Sequence, residues 1–402
     1  MSSDSRNFIF IVDNFERAVF FERFSRSLKY MGVTAIYLTG CYQTYRYLSS
    51  IGRSVFHLGK KNQVAVGENA TDVCKSIEVL THDISAKQAV KLANIYKLNL
   101  SEITFPAESI VVSWNGHQLI SLVCQSFFKE NYNYAYKFME ISNLPGKLFV
   151  DSKGVNAASS LCLSPELIDD YSLVNEGVHA QWLLAYQKSK QGVIGQAKNI
   201  KALPIDRIKY SLIGRIKGYE SAFDFTNLIC PSWLRSKLSR RVNLARVIGT
   251  SQPNLPHKYV LYPMQVSSDT QILINGAGYD NDSAIQYCID NFSSNYKVVV
   301  KPHPAEKNLS CFLAIYEKYN DRVLFVLNDT NKLIEDSSHV VTINSTVGLE
   351  AMIQGIAITV LGESLYKGFD RRRLLKYIHG YLVGGVDYFS QDPLSIDLIY
   401  RP

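Results

Sequence analysis

The chain has no CxxC pair; its seven cysteines are scattered at positions 41, 74, 124, 162, 230, 288 and 311. That spacing fits reduced thiols packed in a core better than disulfides or a zinc site. No apolar run approaches the roughly 18 residues of a membrane span. The start, MSSDSRN, lacks a basic region followed by an apolar core. No secretory signal is therefore read, and the expected location is the cytoplasm. The loop after the first apolar run carries no GxGxxG, which excludes an ordinary dinucleotide fingerprint. Short-period repeats and low-complexity runs are absent as well. The excess of positive charge is only +7. That favours an acidic ligand or surface, and no nucleic-acid partner is expected.

What is present is an ordinary globular balance: 402 residues, 47% hydrophobic and 20% charged. This length suggests two or three domains. NFIFIVD at 7–13 reads as a first strand, 14–30 as a helix with Phe15, Val19, Phe20, Phe24 and Leu28 on one face, and 34–38 as a second strand. Further strands are expected at VFHLG, at 110–114 and at YAYKFMEI, with helices between them. SNLPGKLFVDSKGVNAASS reads as a loop. From Tyr259 the alternation resumes, with strands in KYVLYPMQV, KVVVK, RVLFVL, HVVTIN and AITVLG. Strands alternating with helices predict an α/β protein with parallel sheets covered on both faces. The expected division is 1–255, a Rossmann-like domain with a basic helical insert, and 256–402, a second Rossmann-like domain. Two such domains facing a cleft would be a GT-B-like fold. In the insert, SWLRSKLSRRVNLARV at 232–247 puts Leu234, Leu238 and Val242 on one face and adds Arg235, Arg240, Arg241 and Arg246. It reads as a solvated surface helix or as one lying on an anionic membrane.

The most informative stretch is KVVVKPHPAEK at 297–307. A buried strand stopped by Pro302 and Pro304 leaves His303 in a stiff turn at a strand's carboxyl end. Ligands of open α/β sheets bind at that edge. Lys301 and Lys307 flank the histidine with positive charge. About forty residues on, a second strand runs into STVGLEAMIQG. There Ser345 and Thr346 offer hydroxyls at a helix start suited to phosphate, with Glu350 one turn further in. The two strand ends read as two sides of one nucleotide-sugar pocket. Gln265, Ser268 and Asp269 follow a strand end and face the same edge, or form an ordinary capped loop. Asn115, Gly116 and His117 end another strand as an acceptor contact or a simple turn. Excess tyrosine, 25 residues, fits sugar-facing surface or core equally.

These stretches carry a resemblance. YVLYPMQVSSDTQI at 259–272, VVVKPHPAEKN at 298–308, INSTVGLEAMIQGIAITVLGESLYKG at 343–368 and MEISNLPGKLFVDSKGVNAASS at 139–160 are similar to the bacterial capsular polysaccharide synthesis family, which includes the β-Kdo transferases of capsule and lipopolysaccharide assembly. More distantly the chain resembles bacterial polysialyltransferases, which also carry an HP motif and a serine motif. The resemblance implies a GT-B-like fold, CMP-β-Kdo as donor substrate, a growing capsular or O-antigen glycan or glycolipid as acceptor, retention of configuration, and no metal or other cofactor. Sialyl or polysialyl transfer from CMP-sialic acid, a nucleotide-sugar epimerase or hydrolase, and a silent scaffold of the assembly complex are the alternatives. Peripheral contact with the inner membrane or with polysaccharide assembly proteins is a further expectation.

Under this reading His303 and Lys301 stabilise the departing CMP phosphate. Glu140 and Asp151 are the candidate catalytic carboxylates, because a retaining transferase needs a nucleophile and then an acid or base for the acceptor hydroxyl. The structural alternative is that either only holds a loop. Several relatives have an acidic residue two before a glycine where this chain has Glu140, Ile141 and Ser142. NEG at 175–177 is another acidic-glycine candidate, and Asp224 is a reserve nucleophile. Lys147 is expected to pair with the ketosugar carboxylate or to be solvated.

Overall fold

A computed structural model describes residues 7–28, 32–61, 71–142, 144–191, 204–222, 244–249, 254–267, 269–306 and 308–400. Asp224, Ser268, Lys307 and the greater part of the basic stretch 232–247 lie outside these residues; of that stretch only the short helix Leu244–Ile248 is described. The chain divides into two compact units. One comprises residues 1–228 together with 375–402, and the other residues 229–374.

The first unit is built on β1 (Asn7–Val12), β2 (Ala35–Thr39), β3 (Ser54–His57), β4 (Ser109–Trp114), β5 (Ala135–Ile141) and β6 (Lys147–Asp151). Five of these run parallel in the order β5-β4-β1-β2-β3. Because successive side chains of a strand point to opposite faces, β1 is apolar at every position yet serves two cores. Phe8, Phe10 and Val12 join Phe20, Phe21, Phe24 and Trp114 on one face. Ile9 and Ile11 join Leu38, Leu92, Val111 and Val123 on the other. All five β1 side chains from Phe8 to Val12 are at most 1% exposed.

Two features differ from the sequence reading. The stretch read as a loop after Ile141 contains a strand: β6 returns antiparallel along β5, pairing Glu140 with Phe149 and Phe138 with Asp151. Proline and glycine in LPGK make the hairpin turn and hide the three apolar residues that follow. Residues 375–402 also belong to the first unit, not to a C-terminal domain beginning at 256. A short strand, β12 (Val383–Gly384), pairs antiparallel with β6. Val386, Leu394, Ile396 and Ile399 then pack on the phenylalanine side of the sheet. Their irregular spacing fits neither a helical nor a strand period.

The second unit holds a five-stranded parallel sheet of β7 (Tyr259–Pro263), β8 (Lys297–Lys301), β9 (Leu324–Phe325), β10 (His339–Thr342) and β11 (Ala357–Val360). Its order is β11-β10-β7-β8-β9. Val260, Tyr262, Val298 and Val300 face one core, and Tyr259, Leu261 and Val299 the other. In each unit the first strand sits between neighbours reached by connections in opposite directions, β2 and β4 in one case and β8 and β10 in the other. Such a reversal of strand order opens a crevice at the carboxyl edge of the sheet. Among the described residues no helix is long and apolar enough to cross a membrane.

The C-terminal return is pinned by Arg23, which is 2% exposed. Its Nε donates to the carbonyl of Asp392 (2.6 Å) and its Nη1 to that of Asp387 (2.7 Å). Burial pulls the guanidinium pKa down, against the charges of Asp387 and Asp392. Replacing Arg23 with Met removes two charge-assisted bonds and strands their carbonyl acceptors. The expected loss is about 2–4 kcal/mol of stability in denaturant melts. Faster amide exchange through 387–394, with the 259–301 region unchanged, would check the location of the effect.

Candidate functional site

The second unit assembles its polar residues where β7 ends. Gln265, two residues past β7, is 5% exposed. Its Nε2 donates to Oδ1 of Asn344 (3.0 Å) and its Oε1 accepts from the Asn344 amide (3.3 Å). Asn344 immediately precedes Ser345, so this pair ties the β7 end to the β10 end. On the other side Glu306, buried in the HPAE turn, accepts from the amide and hydroxyl of Ser267 (2.8 and 3.0 Å) and from the amide of Asn308 (2.8 Å). The histidine turn and the serine helix are thus held on either side of one loop, across the strand-order reversal. Glu306 and Asn344 escaped the sequence reading. Both lie inside the motifs quoted, but their partners are 39 and 79 residues away.

His303 is half-buried. Its Nδ1 accepts from the Ala305 amide (3.1 Å), which leaves the proton of the neutral ring on Nε2. Burial lowers its pKa and Lys301 adds to this, opposed by Asp269 and Glu306. Among the described residues Nε2 makes no hydrogen bond. Lys301 is also depressed by burial, and its Nζ donates to the Asn328 carbonyl (2.5 Å). Ser345 caps the helix Thr346–Ile353: its Oγ accepts from the Val347 amide (3.2 Å), and Tyr366 donates to its carbonyl. Thr346 is exposed and Glu350 half-buried on the same helix. Asp269 caps a short helix through the Gln271 amide (2.9 Å). A neutral N–H donor, an ammonium and an open helix start make an edge suited to a phosphate.

In the first unit the two candidate carboxylates have opposite environments. Asp151, the last residue of β6, is fully buried. Its Oδ1 accepts from the amides of Lys153 (2.6 Å), Gly154 (3.1 Å) and Ser160 (3.0 Å). Its Oδ2 accepts from the Ser160 amide (3.0 Å) and from the hydroxyls of Ser160 and Tyr381 (both 2.6 Å). Burial pushes its pKa up, but the bonds from Ser160, Tyr381 and Lys153 outweigh it and hold the carboxyl below its usual range. With every lone pair engaged, Asp151 organises the loop 152–160 and docks the C-terminal return. Glu140 lies near the end of β5, where Nδ2 of Asn156 donates to its Oε2 (3.1 Å). Burial raises its pKa, against hydrogen bonds from Asn115 and Asn156 and the charge of Arg17. Asn115 follows β4 with φ +35°, and Gly116 comes next at φ +85°. A Cβ on Gly116 would also meet the Phe138 ring at 2.8 Å. The NG pair is therefore a required turn, and its asparagine faces Glu140. Lys147 donates to the Ile378 carbonyl (2.7 Å), another tie to the C-terminal return.

A cavity of about 320 Å³ lies where β1, β2 and β3 end, and the sequence reading did not foresee it. It is walled by Tyr42, His57, Glu78, Tyr96, Tyr210 and Tyr219, among others. Nδ1 of His57 accepts from the Gly59 amide (3.0 Å), and its ring centre is 4.5 Å from that of Tyr219. Burial drives the imidazole pKa down to about 3. Oε2 of Glu78 accepts from the Leu119 amide (2.9 Å). Burial, reinforced by Asp13 and Asp83 and opposed by backbone hydrogen bonds, lifts the Glu78 carboxyl to about 7. The visible signals were a histidine within VFHLG and an isolated glutamate. Neither stands out without the fold.

Comparison with known proteins gives four matches. A family model described as capsule polysaccharide biosynthesis protein matches residues 126–370. Capsule polysaccharide export protein KpsS of Escherichia coli is 24% identical over 246 residues, 55% of this chain and 59% of that protein. Protein FixF of Sinorhizobium fredii is 29% identical over 154 residues, 37% of this chain and 35% of that one. The matched regions therefore span little more than half of one curated relative and about a third of the other. Among solved structures, Thermosulfurimonas dismutans KpsC, a β-Kdo 2,7 transferase, is similar at a TM-score of 0.42 and 14% identity, over 98% of both chains.

Two outcomes follow from these environments. Asp151→Asn places an amide against backbone donors, so a loss of about 2–4 kcal/mol is expected in urea melts. The wild-type contribution of Asp151 is complete above the ordinary carboxylate range and disappears as pH falls through its depressed folded-state pKa. Glu78 has the opposite sign. The folded state binds its proton more tightly than the unfolded state, so its contribution is full below pH 4.5 and is lost as pH rises toward 7. Relative to Glu78→Gln, the wild type should lose on the order of 2–3 kcal/mol over that window, read from melting temperatures at stepped pH.

Proposed function

The chain belongs to the capsule polysaccharide biosynthesis protein family, and from that premise we propose that it is a glycosyltransferase moving β-Kdo from CMP-β-Kdo to a nascent capsular or lipopolysaccharide glycan, with retention through a glycosyl-enzyme. The observation that carries the reading is the fastening of the histidine turn and the serine helix to one loop at the strand-order reversal of the second sheet. The choice of a CMP-activated acidic ketosugar rests on the resemblance of KPHPAEK and INSTVGLE to the β-Kdo transferases.

The roles divide as follows. Nε2–H of His303 donates to the phosphate oxygen that gains charge as the glycosidic bond breaks, and Lys301 adds its field. The helix start at Ser345 and Thr346 holds the same anion, with Glu350 accepting from ribose hydroxyls. Glu140 is the carboxylate with lone pairs to spare, whereas those of Asp151 are committed. Glu140 attacks the anomeric carbon, the carbon–oxygen bond to phosphate breaks, and CMP leaves with the bonding electrons. An acceptor hydroxyl then displaces Glu140 and gives up its proton to a base. Glu140 attacks and is released as the carboxylate, and the burial that raises its pKa makes that carboxylate the more basic and nucleophilic once ionised. Acceptor contact by Asn115 and Lys147 is less favoured, because both side chains already serve the fold.

Intact-protein mass spectrometry after mixing with CMP-Kdo tests the proposal. The wild type is expected to gain one Kdo, and Glu140→Gln to gain none while still binding CMP. His303→Ala should weaken CMP binding about 10-fold or more, the value of one hydrogen bond to a charged group. An adduct that persists in Glu140→Gln moves the nucleophile elsewhere. An adduct formed from CMP-sialic acid alone changes the donor, and release of free sugar without acceptor marks a hydrolase.

A further inference from the structure

Gln118 is 5% exposed and stands just before the helix Leu119–Asn131, yet its side chain does not cap that helix. Oε2 of Glu78 takes the Leu119 amide instead (2.9 Å). A buried amide still needs partners, and one orientation of Gln118 supplies them. Its Nε2 donates to the Trp114 carbonyl (2.9 Å) and to Oδ1 of Asn115 (3.0 Å), and its Oε1 accepts from Nη1 of Arg17 (2.8 Å). Oδ1 of Asn115 also accepts from the His117 amide (3.2 Å), so its Nδ2 is the atom left to donate to Glu140. Nδ2 of Asn156 meets Oε2 of the same carboxylate (3.1 Å). Arg17, Gln118 and Asn115 thus form one polar line that ends on Glu140.

The line starts from a charge held in place. Nη1 of Arg17 pairs with Oδ2 of Asp13 (2.7 Å), and the guanidinium lies over the Trp114 ring, 5.2 Å from its centre. The Arg17 backbone amide donates to Oδ1 of Asn14 (3.0 Å), which fixes the start of the helix that carries it. The Arg17 side chain is only 18% exposed, so its field is weakly screened. At the other end burial pulls the Glu140 pKa up, and Asn115, the Arg17 charge and Asn156 oppose it. Tyr377 of the C-terminal return also faces Glu140; burial, reinforced by that carboxyl, pushes its phenol up, so it stays neutral. Tyr388, near Arg17, is pushed up to about 12, chiefly by burial, and is neutral as well. The charges that bear on this line are therefore Asp13, Arg17 and Glu140 itself. Their signs alternate along it, and the asparagine and glutamine between them fix the geometry.

We propose that Arg17 is a positioning residue for Glu140: acting through Gln118 and Asn115, it fixes the orientation of the carboxylate, and its charge favours the ionised form that attacks. Asp13 sets how much of that charge Glu140 feels. The proposal rests on the transferase reading for the nucleophilic role of Glu140, while the line itself rests on the hydrogen bonds.

Two measurements on the full chain test it. One is the titration of the Glu140 carboxyl by NMR with carbon-13-labelled glutamate, assigned by the signal that Glu140→Gln loses. The other is the rate of Kdo-adduct formation from CMP-Kdo at stepped pH, read by intact-protein mass. A nearby cation stabilises a carboxylate, so Arg17→Met should move the Glu140 midpoint up by about half a pH unit or more, and the rising limb of the rate profile with it. Asp13→Asn, which unmasks the guanidinium, should move both down. Arg17→Lys keeps the charge and should stay closer to wild type than Arg17→Met. Gln118→Met keeps the charge but breaks the line, and should slow adduct formation about fivefold or more where Glu140 is ionised. CMP binding should stay at the wild-type level throughout. Asp13→Asn remains informative if Arg17→Met fails to fold. A Glu140 midpoint that moves in neither charge variant, or that moves the same way in both, overturns the proposal, as does a wild-type adduct rate in Gln118→Met. Midpoints that move as expected with no adduct in the wild type support the line and remove the nucleophilic role from Glu140.

Discussion

A parallel sheet buried on both faces leaves no place for polar chemistry along its strands. In this protein β1 and β7 are apolar at nearly every position and contribute alternately to two cores. Side chains that can bind or react are therefore confined to the strand ends. Gln265, His303, Asn344, Asn115 and Glu140 all lie there or within a few residues. The positions of the candidate sites thus follow from burial before any particular motif is considered.

Once at an edge, a polar group takes its character from the donors around it. Glu140 and Asp151 are both withdrawn from water and sit on adjacent antiparallel strands. One has two asparagine side chains for company and a raised pKa; the other collects backbone amides and hydroxyls and has a lowered one. The difference comes from the loop 152–160, which turns backbone amides and the Ser160 hydroxyl onto Asp151 and gives Glu140 only the Asn156 side chain, beside Asn115 of the β4 turn. Two carboxylates of the same chemical type become, by surroundings alone, one available group and one fastening.

Much of the fold was legible in the sequence because continuous apolar runs such as FIFIV, IVVSW and KVVVK have few alternatives to buried strands. What stayed hidden was short or non-local. β6 follows a Pro-Gly turn and β12 has only two residues, so neither offers a period to read. At the second sheet's edge the motif residues were visible, but the bonds that unite them were not: Glu306 with Ser267, and Gln265 with Asn344, join positions far apart in the chain. His57 and Glu78 lay beyond sequence reasoning because a single histidine or glutamate acquires meaning only when burial strips it of solvent.

The return of residues 375–400 to the first unit has a consequence for biogenesis. Arg23 meets the Asp392 carbonyl across 369 positions, with the whole second unit between them. On the ribosome, residues 7–222 emerge long before the segment that covers their phenylalanine core. The second unit is contiguous and can close as soon as it clears the exit tunnel. Maturation therefore runs out of chain order: the half made first is finished last, and until its final strand arrives it exposes an unpaired β6 edge, the kind of surface on which chaperones act.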